Sequence, residues 1–138
     1  MDTAVIVAII GAAASLFTSA LIFFLTKKKE READWRRLKL ARYDALLASI
    51  NDLADNPRNG VSFAKAANDV NLVASAEVLT ALQSFIDYLA APHYSTTVQN
   101  QYFTALIYAI RKDLCITPVR GPDDLILKLY SGRKSKTV

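Results

Sequence analysis

Residues 4–25 read AVIVAIIGAAASLFTSALIFFL, an uncharged run of 22 residues in a chain of 138. The only polar side chains in this run are the hydroxyls of Ser15, Thr18 and Ser19, which can bond back to carbonyls of their own helix. A helix rises about 1.5 Å per residue, so the run would be about 33 Å long and would match a hydrocarbon core of about 30 Å. The sequence therefore predicts a transmembrane helix over residues 1–26.

A buried core helix and a cleaved signal peptide are the two alternatives for this run. Core helices are usually shorter and carry a polar face. A signal peptide needs positive charge before its apolar run and a small-residue cleavage site after it. Asp2 and Thr3 supply no such charge, and Lys27, Lys28 and Lys29 follow the run directly. The pattern favours a membrane span over both alternatives.

Basic side chains are concentrated directly after the apolar run. Lysine and arginine flank the cytoplasmic end of a span. We therefore expect a single-pass protein of the cell inner membrane, with its N-terminus outside and its C-terminal domain in the cytoplasm. Acidic residues interrupt the basic cluster, so the expected partner is the lipid bilayer rather than nucleic acid. The residues predicted to set topology at the membrane surface are Lys27, Lys28, Lys29, Arg31, Arg36 and Arg37.

Small residues recur every three or four positions along the predicted span. Such a stripe lets two helix backbones approach closely in lipid. The stripe predicts a homo-oligomer assembled through the span, although the span can equally serve as a simple tether. The residues predicted to pack are Ala8, Gly11, Ser15 and Ser19.

The rest of the chain is predicted to be all-α, without the alternation of a half-buried strand. Residues 27–131 are expected to form a cytoplasmic bundle of four to five helices, and residues 132–138 a basic, flexible tail. The first helix, 27–55, is a long basic juxtamembrane helix that ends before Asn56 and Pro57. Ser75 is expected to cap the third helix. The later helices are placed at about 62–74, 76–90, 98–114 and 122–130.

Apolar residues at helical spacing define the expected core of this bundle. The spacing places one row on each helix, and facing rows would bury one another. The predicted core residues are Trp35, Leu38, Leu46, Ile50, Phe63, Val70, Leu82, Phe85, Leu106 and Ile110.

Residues that could support chemistry are sparse. One Cys and one His exclude a metal site built from several of them, and no glycine-rich phosphate loop is present. We expect no catalytic residue, no metal, no cofactor and no small-molecule substrate. Asp113 is predicted to form a salt bridge with a basic residue of another helix, and Cys115 to be a small core residue. Asn71 is expected to hydrogen-bond across the bundle.

Three stretches resemble a group of small bacterial proteins without an established function, which pair one N-terminal span with a cytoplasmic helical domain. They are WRRLKLARYDALLASIND (35–52), FAKAANDVNLVASAEVL (63–79) and AIRKDLCI (109–116). In that group we expect a glycine at the position of Cys115 that ends the fourth helix, so here the stop is expected to come from Thr117 and Pro118 instead. Similar proteins occur on mobile elements and prophages, and the resemblance therefore implies a role in phage exclusion or defence.

The sequence favours a non-enzymatic membrane protein over an enzyme. In the first hypothesis, the cytoplasmic bundle binds itself or an unidentified protein partner, and the span localises it. In the alternative, clustered spans form an oligomeric membrane effector or a phage-exclusion protein. The hydroxyls of Ser15, Thr18 and Ser19 would then line a narrow path between several copies.

Overall fold

The computed structural model describes residues 2–93, 95–117 and 125–129. Within these ranges all regular structure is helical and no strand occurs, which confirms the all-α prediction. The order is α1 (Thr3–Asp55), a 3-10 turn (Pro57–Asn59), α2 (Gly60–Val70), α3 (Ala76–Ala90) and α4 (Thr96–Asp113).

The chain forms two compact units, Met1–Arg37 and Leu38–Val138. We call them the amino-terminal unit and the carboxy-terminal unit. The described residues of the amino-terminal unit belong almost entirely to α1, and all of them are exposed. The predicted tail, 132–138, lies outside the described residues.

Local sequence signals end α1 and start α3 where they were predicted to do so. Asn56 is extended, and its side chain accepts a hydrogen bond from the N–H of Arg58 at 3.1 Å, with Pro57 opening the 3-10 turn. Ser75 is also extended and accepts from the N–H of Val78 at 3.5 Å. Because these caps satisfy the N–H groups at the start of the 3-10 turn and of α3, a few residues suffice to fix where each begins.

α2 is shorter than predicted, because the chain turns after Val70. The N–H groups of residues 71–73 bond to the carbonyls of Asn68, Asp69 and Val70. Asn71 is exposed in this turn, so the expected hydrogen bond across the bundle was wrong.

The core lies entirely in the carboxy-terminal unit. α3 packs on α4, with the rings of Phe85 and Phe103 6.3 Å apart and those of Tyr88 and Tyr102 5.2 Å apart. The predicted core residues that are buried are Leu46, Ile50, Phe63, Val70, Leu82, Phe85, Leu106 and Ile110.

Two predicted core residues of α1 were wrong. Trp35 is 48% exposed and Leu38 is 41% exposed. Trp35 belongs to the amino-terminal unit, whose described residues are all exposed. The residue of α1 that contacts α4 at this point is Lys39, the neighbour of Leu38. Its ammonium bonds the carboxylate of Asp113 in α4. The buried face of α1 consequently begins at Tyr43, about two turns after Trp35, where the predicted apolar row starts.

α4 ends close to the predicted residue, but not through Thr117 and Pro118 as expected. Leu114 is the C-cap, and Cys115 adopts a left-handed backbone with φ 56°. The N–H of Cys115 bonds to the carbonyl of Lys112 at 3.0 Å, and that of Ile116 to the carbonyl of Arg111 at 2.9 Å. This is a Schellman motif, so α4 ends before residue 117. Cys115 is exposed, and its predicted place in the core was wrong.

The expected fifth helix is also wrong over the part that the structure describes. Residues 125–129 are not helical. The N–H groups of Leu127 and Leu129 bond to side chains of α4 instead of to carbonyls of their own segment. Residues 122–124 and 130 lie outside the described ranges.

Candidate functional site: the exposed apolar helix and its basic segment

The amino-terminal half of α1 exposes an apolar surface of unusual extent. α1 contains an 18-residue window with a mean hydropathy of 2.4, and none of that window is buried. Leu16 is 72% exposed and Phe17 79% exposed. Among the described residues, α1 is the one helix long and apolar enough to span a membrane, and it lies near the N-terminus.

The predicted small-residue stripe is exposed throughout. A Cβ atom added to Gly11 would meet nothing within 4 Å, so no intrachain packing explains a glycine there. Ser15 donates to the carbonyl of Ala12 at 3.0 Å, and Ser19 to that of Ser15 at 2.8 Å. The residues of the stripe, all exposed, are Ala8, Gly11, Ser15 and Ser19.

The hydroxyl of Thr18 also bonds within the helix, to the carbonyl of Ala14 at 2.8 Å. All three hydroxyls of the apolar run therefore donate their protons to their own backbone, as the sequence suggested. Each hydroxyl keeps acceptor capacity but has no proton left to donate to a neighbour.

The predicted membrane-surface residues lie in an exposed basic segment of α1, which we define as residues 27–37. Lys27 bonds Glu30 at 2.8 Å, and its Nζ lies 6.0 Å from the centre of the Phe23 ring. Arg37 and Asp34 are 3.9 Å apart. Every side chain in this segment is solvent-accessible, so Lys27, Lys28, Lys29, Arg31, Arg36 and Arg37 are all available to a charged surface.

An open groove runs along one side of this segment, beside the last turn of the apolar run. Its lining combines aromatic rings with the ends of charged side chains, which is the combination found at the boundary between lipid and water. All of its lining residues come from α1: Phe24, Lys28, Arg31, Glu32 and Trp35.

A buried polar cluster joins α1 to the end of α4 within the carboxy-terminal unit. Lys39 Nζ lies 2.9 Å from both carboxylate oxygens of Asp113, and the side chains are 14% and 8% exposed. The hydroxyl of Tyr43 donates to the same carboxylate, and the side chain of Ser75 helps to lower the pKa of Asp113. Asp113 therefore pairs with a basic residue of another helix, as predicted.

The electrostatics of this cluster follow from burial and pairing. Burial alone would raise the pKa of Asp113. The hydrogen bonds from Tyr43 and Lys39, the charge of Lys39 and the bond from Ser75 outweigh burial and hold that pKa below its usual value. Burial, followed by the hydrogen bond to Asp113, raises the pKa of Tyr43 well above 10. At neutral pH the cluster consists of an ion pair and a neutral phenol.

Sequence reasoning did not identify the partners of Asp113. Lys39 and Tyr43 lie 74 and 70 residues away from it, and no local pattern links positions so far apart. The only available signal was one polar position, Lys39, four residues before the buried Tyr43. In the described ranges no group of three or more His, Cys, Asp or Glu side chains could hold a metal ion.

A comparison of the chain with protein families, curated proteins and solved structures finds no match. The resemblance to small single-span bacterial proteins therefore stays a prediction.

Proposed function

We propose that this chain is a non-enzymatic, single-pass protein of the inner membrane. The apolar part of α1 spans the bilayer, with the N-terminus outside. The basic segment lies at the cytoplasmic surface, and the carboxy-terminal unit binds a second copy or a protein partner in the cytoplasm.

The observation that carries this proposal is the complete exposure of the apolar window in α1. A core helix of similar composition would be buried against its neighbours. Water-exposed apolar surface of this size is an aggregation liability, whereas each central Leu, Ile, Phe or Val favours membrane insertion by about 0.3–0.6 kcal/mol. The basic segment that follows supplies the charge asymmetry that orients a span.

Membrane insertion is tested by one central and one terminal arginine. Leu16→Arg places a charge near the middle of the run and should weaken insertion by about 2.5–3.5 kcal/mol. Thr26→Arg, at the end of the run, is the matched control and should insert normally. The measurement is the fraction of full-length protein that resists alkaline extraction from membranes. Equal extraction of both variants and the unaltered chain would contradict the span.

Orientation is tested by the reactivity of Cys115, the only cysteine of the chain, which is exposed. A membrane-impermeant maleimide should label Cys115 in inverted inner-membrane vesicles and not in intact spheroplasts. In a Cys115→Ser background, Thr3→Cys should give the reverse pattern. Labelling of Cys115 from outside the cell would overturn the proposed topology.

Self-assembly through the span is tested on two faces of the same helix. Gly11→Leu fills the small-residue stripe, whereas Ala13→Leu adds a similar side chain on the other side of α1. We expect the first change to lower the oligomeric mass of full-length protein in nanodiscs and the second to leave it unchanged. If neither change has an effect, the span acts as a tether and assembly must come from the carboxy-terminal unit.

The alternative of an oligomeric membrane effector draws less support from these contacts. A polar path between spans would use the hydroxyls of Ser15, Thr18 and Ser19, but each hydroxyl proton is already donated to the helix backbone. Toxicity on overexpression that is lost in Gly11→Leu and kept in Ala13→Leu would favour the effector over the anchor.

A further inference from the structure

Residues 125–129, LILKL, lie along α4 in a non-helical conformation, and we call them the strap. The strap belongs to the carboxy-terminal unit, and part of it joins the core. Leu129 packs against the buried cluster, and Leu127 is half-buried, whereas Leu125 and Ile126 are 46% and 43% exposed. The strap thus buries part of two side chains, Leu127 and Leu129, and its other contacts with α4 are made by the strap backbone.

Three side chains of α4, one turn apart, contact alternate residues of the strap. Asn100 Oδ1 accepts from the N–H of Leu129 at 3.1 Å. Thr104 Oγ1 accepts from the N–H of Leu127 at 2.9 Å and donates to the carbonyl of Asn100 at 2.6 Å.

The third contact comes from Tyr108, whose hydroxyl donates to the carbonyl of Leu125 at 3.3 Å. The strap therefore runs antiparallel to α4, with one strap residue skipped for every turn of helix.

The match between helix and strap is geometric. Residues four apart on a helix are separated by about 6 Å along its axis. Two residues of extended chain span about 6.6 Å. An extended backbone can therefore pair every second residue with positions i, i+4 and i+8 of α4. The interaction is made with the peptide backbone, as in strand addition to a sheet edge, and the two leucines supply apolar contact.

We propose that this face of α4, formed by Asn100, Thr104 and Tyr108, is a binding site for an extended Leu-x-Leu peptide, and that the strap of a second copy of this chain can occupy it. A second copy carries the same strap, so every contact made within one chain is available between two chains without new chemistry. Exchange between copies rests on the proposed membrane anchoring, which concentrates the chains in one plane.

The site itself is tested with a peptide and the full-length chain in detergent micelles. Leu127→Pro combined with Leu129→Pro removes both strap donors and vacates the site. A fluorescent peptide covering residues 124–130 should bind this variant at least about tenfold more tightly than the unaltered chain, whose own strap competes. The single change Leu127→Pro, which keeps Leu129, is a second recipient if the double variant unfolds.

The register of the site is tested with two methylated peptides. N-methylation at residues 127 and 129 removes the two donors that bond α4. It should weaken binding by about tenfold or more, because two hydrogen bonds to α4 are lost and their acceptors are left unsatisfied. N-methylation at residues 126 and 128 is the matched control and should leave binding unchanged. Equal binding of the two peptides, or no binding of either, overturns the proposed site.

Exchange between copies is tested by complementation of two full-length variants. One is the strap variant, and the other, Asn100→Ala with Thr104→Val, keeps its strap but loses the acceptors. Mixed and labelled for energy transfer, they should associate more tightly than either variant alone. The control is the variant Ile126→Pro with Lys128→Pro, which keeps the N–H groups bonded to α4. Mixing it with the acceptor variant should not raise energy transfer above the level of either variant alone.

The outcomes separate this inference from the proposed self-assembly through the span. If both variants and their mixture associate equally, assembly stands and strap exchange is overturned. If the peptide binds in register while full-length chains remain monomeric, the binding site on α4 is supported and self-assembly fails.

Discussion

The two units of this chain differ in how far they expose phenylalanine side chains. Phe17, in the amino-terminal unit, is 79% exposed, whereas Phe85, in the carboxy-terminal unit, is fully buried. The composition around Phe17 is the more apolar of the two. Phe85 is buried because polar residues alternate with apolar ones at helical spacing and give α3 a face to pack. An unbroken apolar run has no such division into two faces, and none of the apolar window of α1 is buried.

The sharpest test of this comparison is truncation of one phenylalanine in each unit. Phe85→Ala should destabilise the carboxy-terminal unit by about 3–5 kcal/mol, because it leaves a cavity among residues that cannot fully collapse. Phe17→Ala should change that stability by less than about 0.5 kcal/mol. Thermal or denaturant unfolding of full-length protein in micelles, followed by circular dichroism, gives both values. Equal losses would show that the two units share one core.

The buried ion pair gives the next largest effect. Asp113→Ala removes the carboxylate that the buried ammonium of Lys39 bonds and should cost about 3 kcal/mol. Replacing both residues together, Lys39→Met with Asp113→Leu, should recover most of the loss, because no uncompensated charge remains. The same unfolding measurement on Lys39→Met, Asp113→Leu and the double variant completes a double-mutant cycle. Additive losses would mean that the pair is not coupled.

The cluster of Lys39, Tyr43 and Asp113 should make the free energy of unfolding depend on pH. The pKa of Asp113 is lower in the folded protein than in the unfolded chain, so its contribution is complete above about pH 4. That contribution should be lost as the pH falls through the folded value. Asp113→Asn should flatten this part of the acid unfolding profile. An unchanged profile in the variant would assign the acid sensitivity to other carboxylates.

At high pH the contribution of Tyr43 to stability changes in the opposite direction: it falls as the pH rises. The raised pKa of Tyr43 keeps its phenol neutral in the folded protein after an unfolded tyrosine has ionised. Its contribution is therefore complete below about pH 10 and falls as the pH rises further. Tyr43→Phe should reduce the alkaline loss of stability. A loss as steep as that of the unaltered chain would contradict the assignment.

A smaller gain is expected at the end of α4. Cys115 has φ 56°, where a side chain costs about 1 kcal/mol relative to glycine. Cys115→Gly should therefore raise the stability of the carboxy-terminal unit by up to about 1 kcal/mol, and Cys115→Ala should leave it nearly unchanged. A loss of stability in the glycine variant would show that the thiol makes contacts that matter more than the strain.

The smallest effect is expected for the exposed ion pair between Lys112 and Glu77, which are 2.7 Å apart and about 60% exposed. Glu77→Ala should cost at most about 1 kcal/mol, because water and salt screen the pair. Comparison with Asp113→Ala measures how much burial adds to the stability that an ion pair provides, because the N···O distances of the two pairs are nearly equal. A cost as large as that of Asp113→Ala would mean that burial does not separate the two pairs.

Sequence reasoning predicted those parts of the fold that depend on neighbouring residues. The caps at Asn56 and Ser75 act within three residues, and the limits of α3 were predicted in full. The buried face of α1 was predicted less well. The apolar row runs through both units, and it does not show at which residue α1 begins to pack on the helices of the carboxy-terminal unit. Trp35 and Leu38 follow the helical spacing, yet they are exposed.

By itself the sequence determined that the chain is helical and that one run suits a membrane, because helix periodicity, capping and apolar length are local properties. Only the tertiary structure decided which residues meet across long separations. It paired Lys39 with Asp113 and laid the strap against Asn100 and Thr104. These outcomes depend on the packing of whole helices, which satisfies buried polar groups with whatever partners the fold brings near.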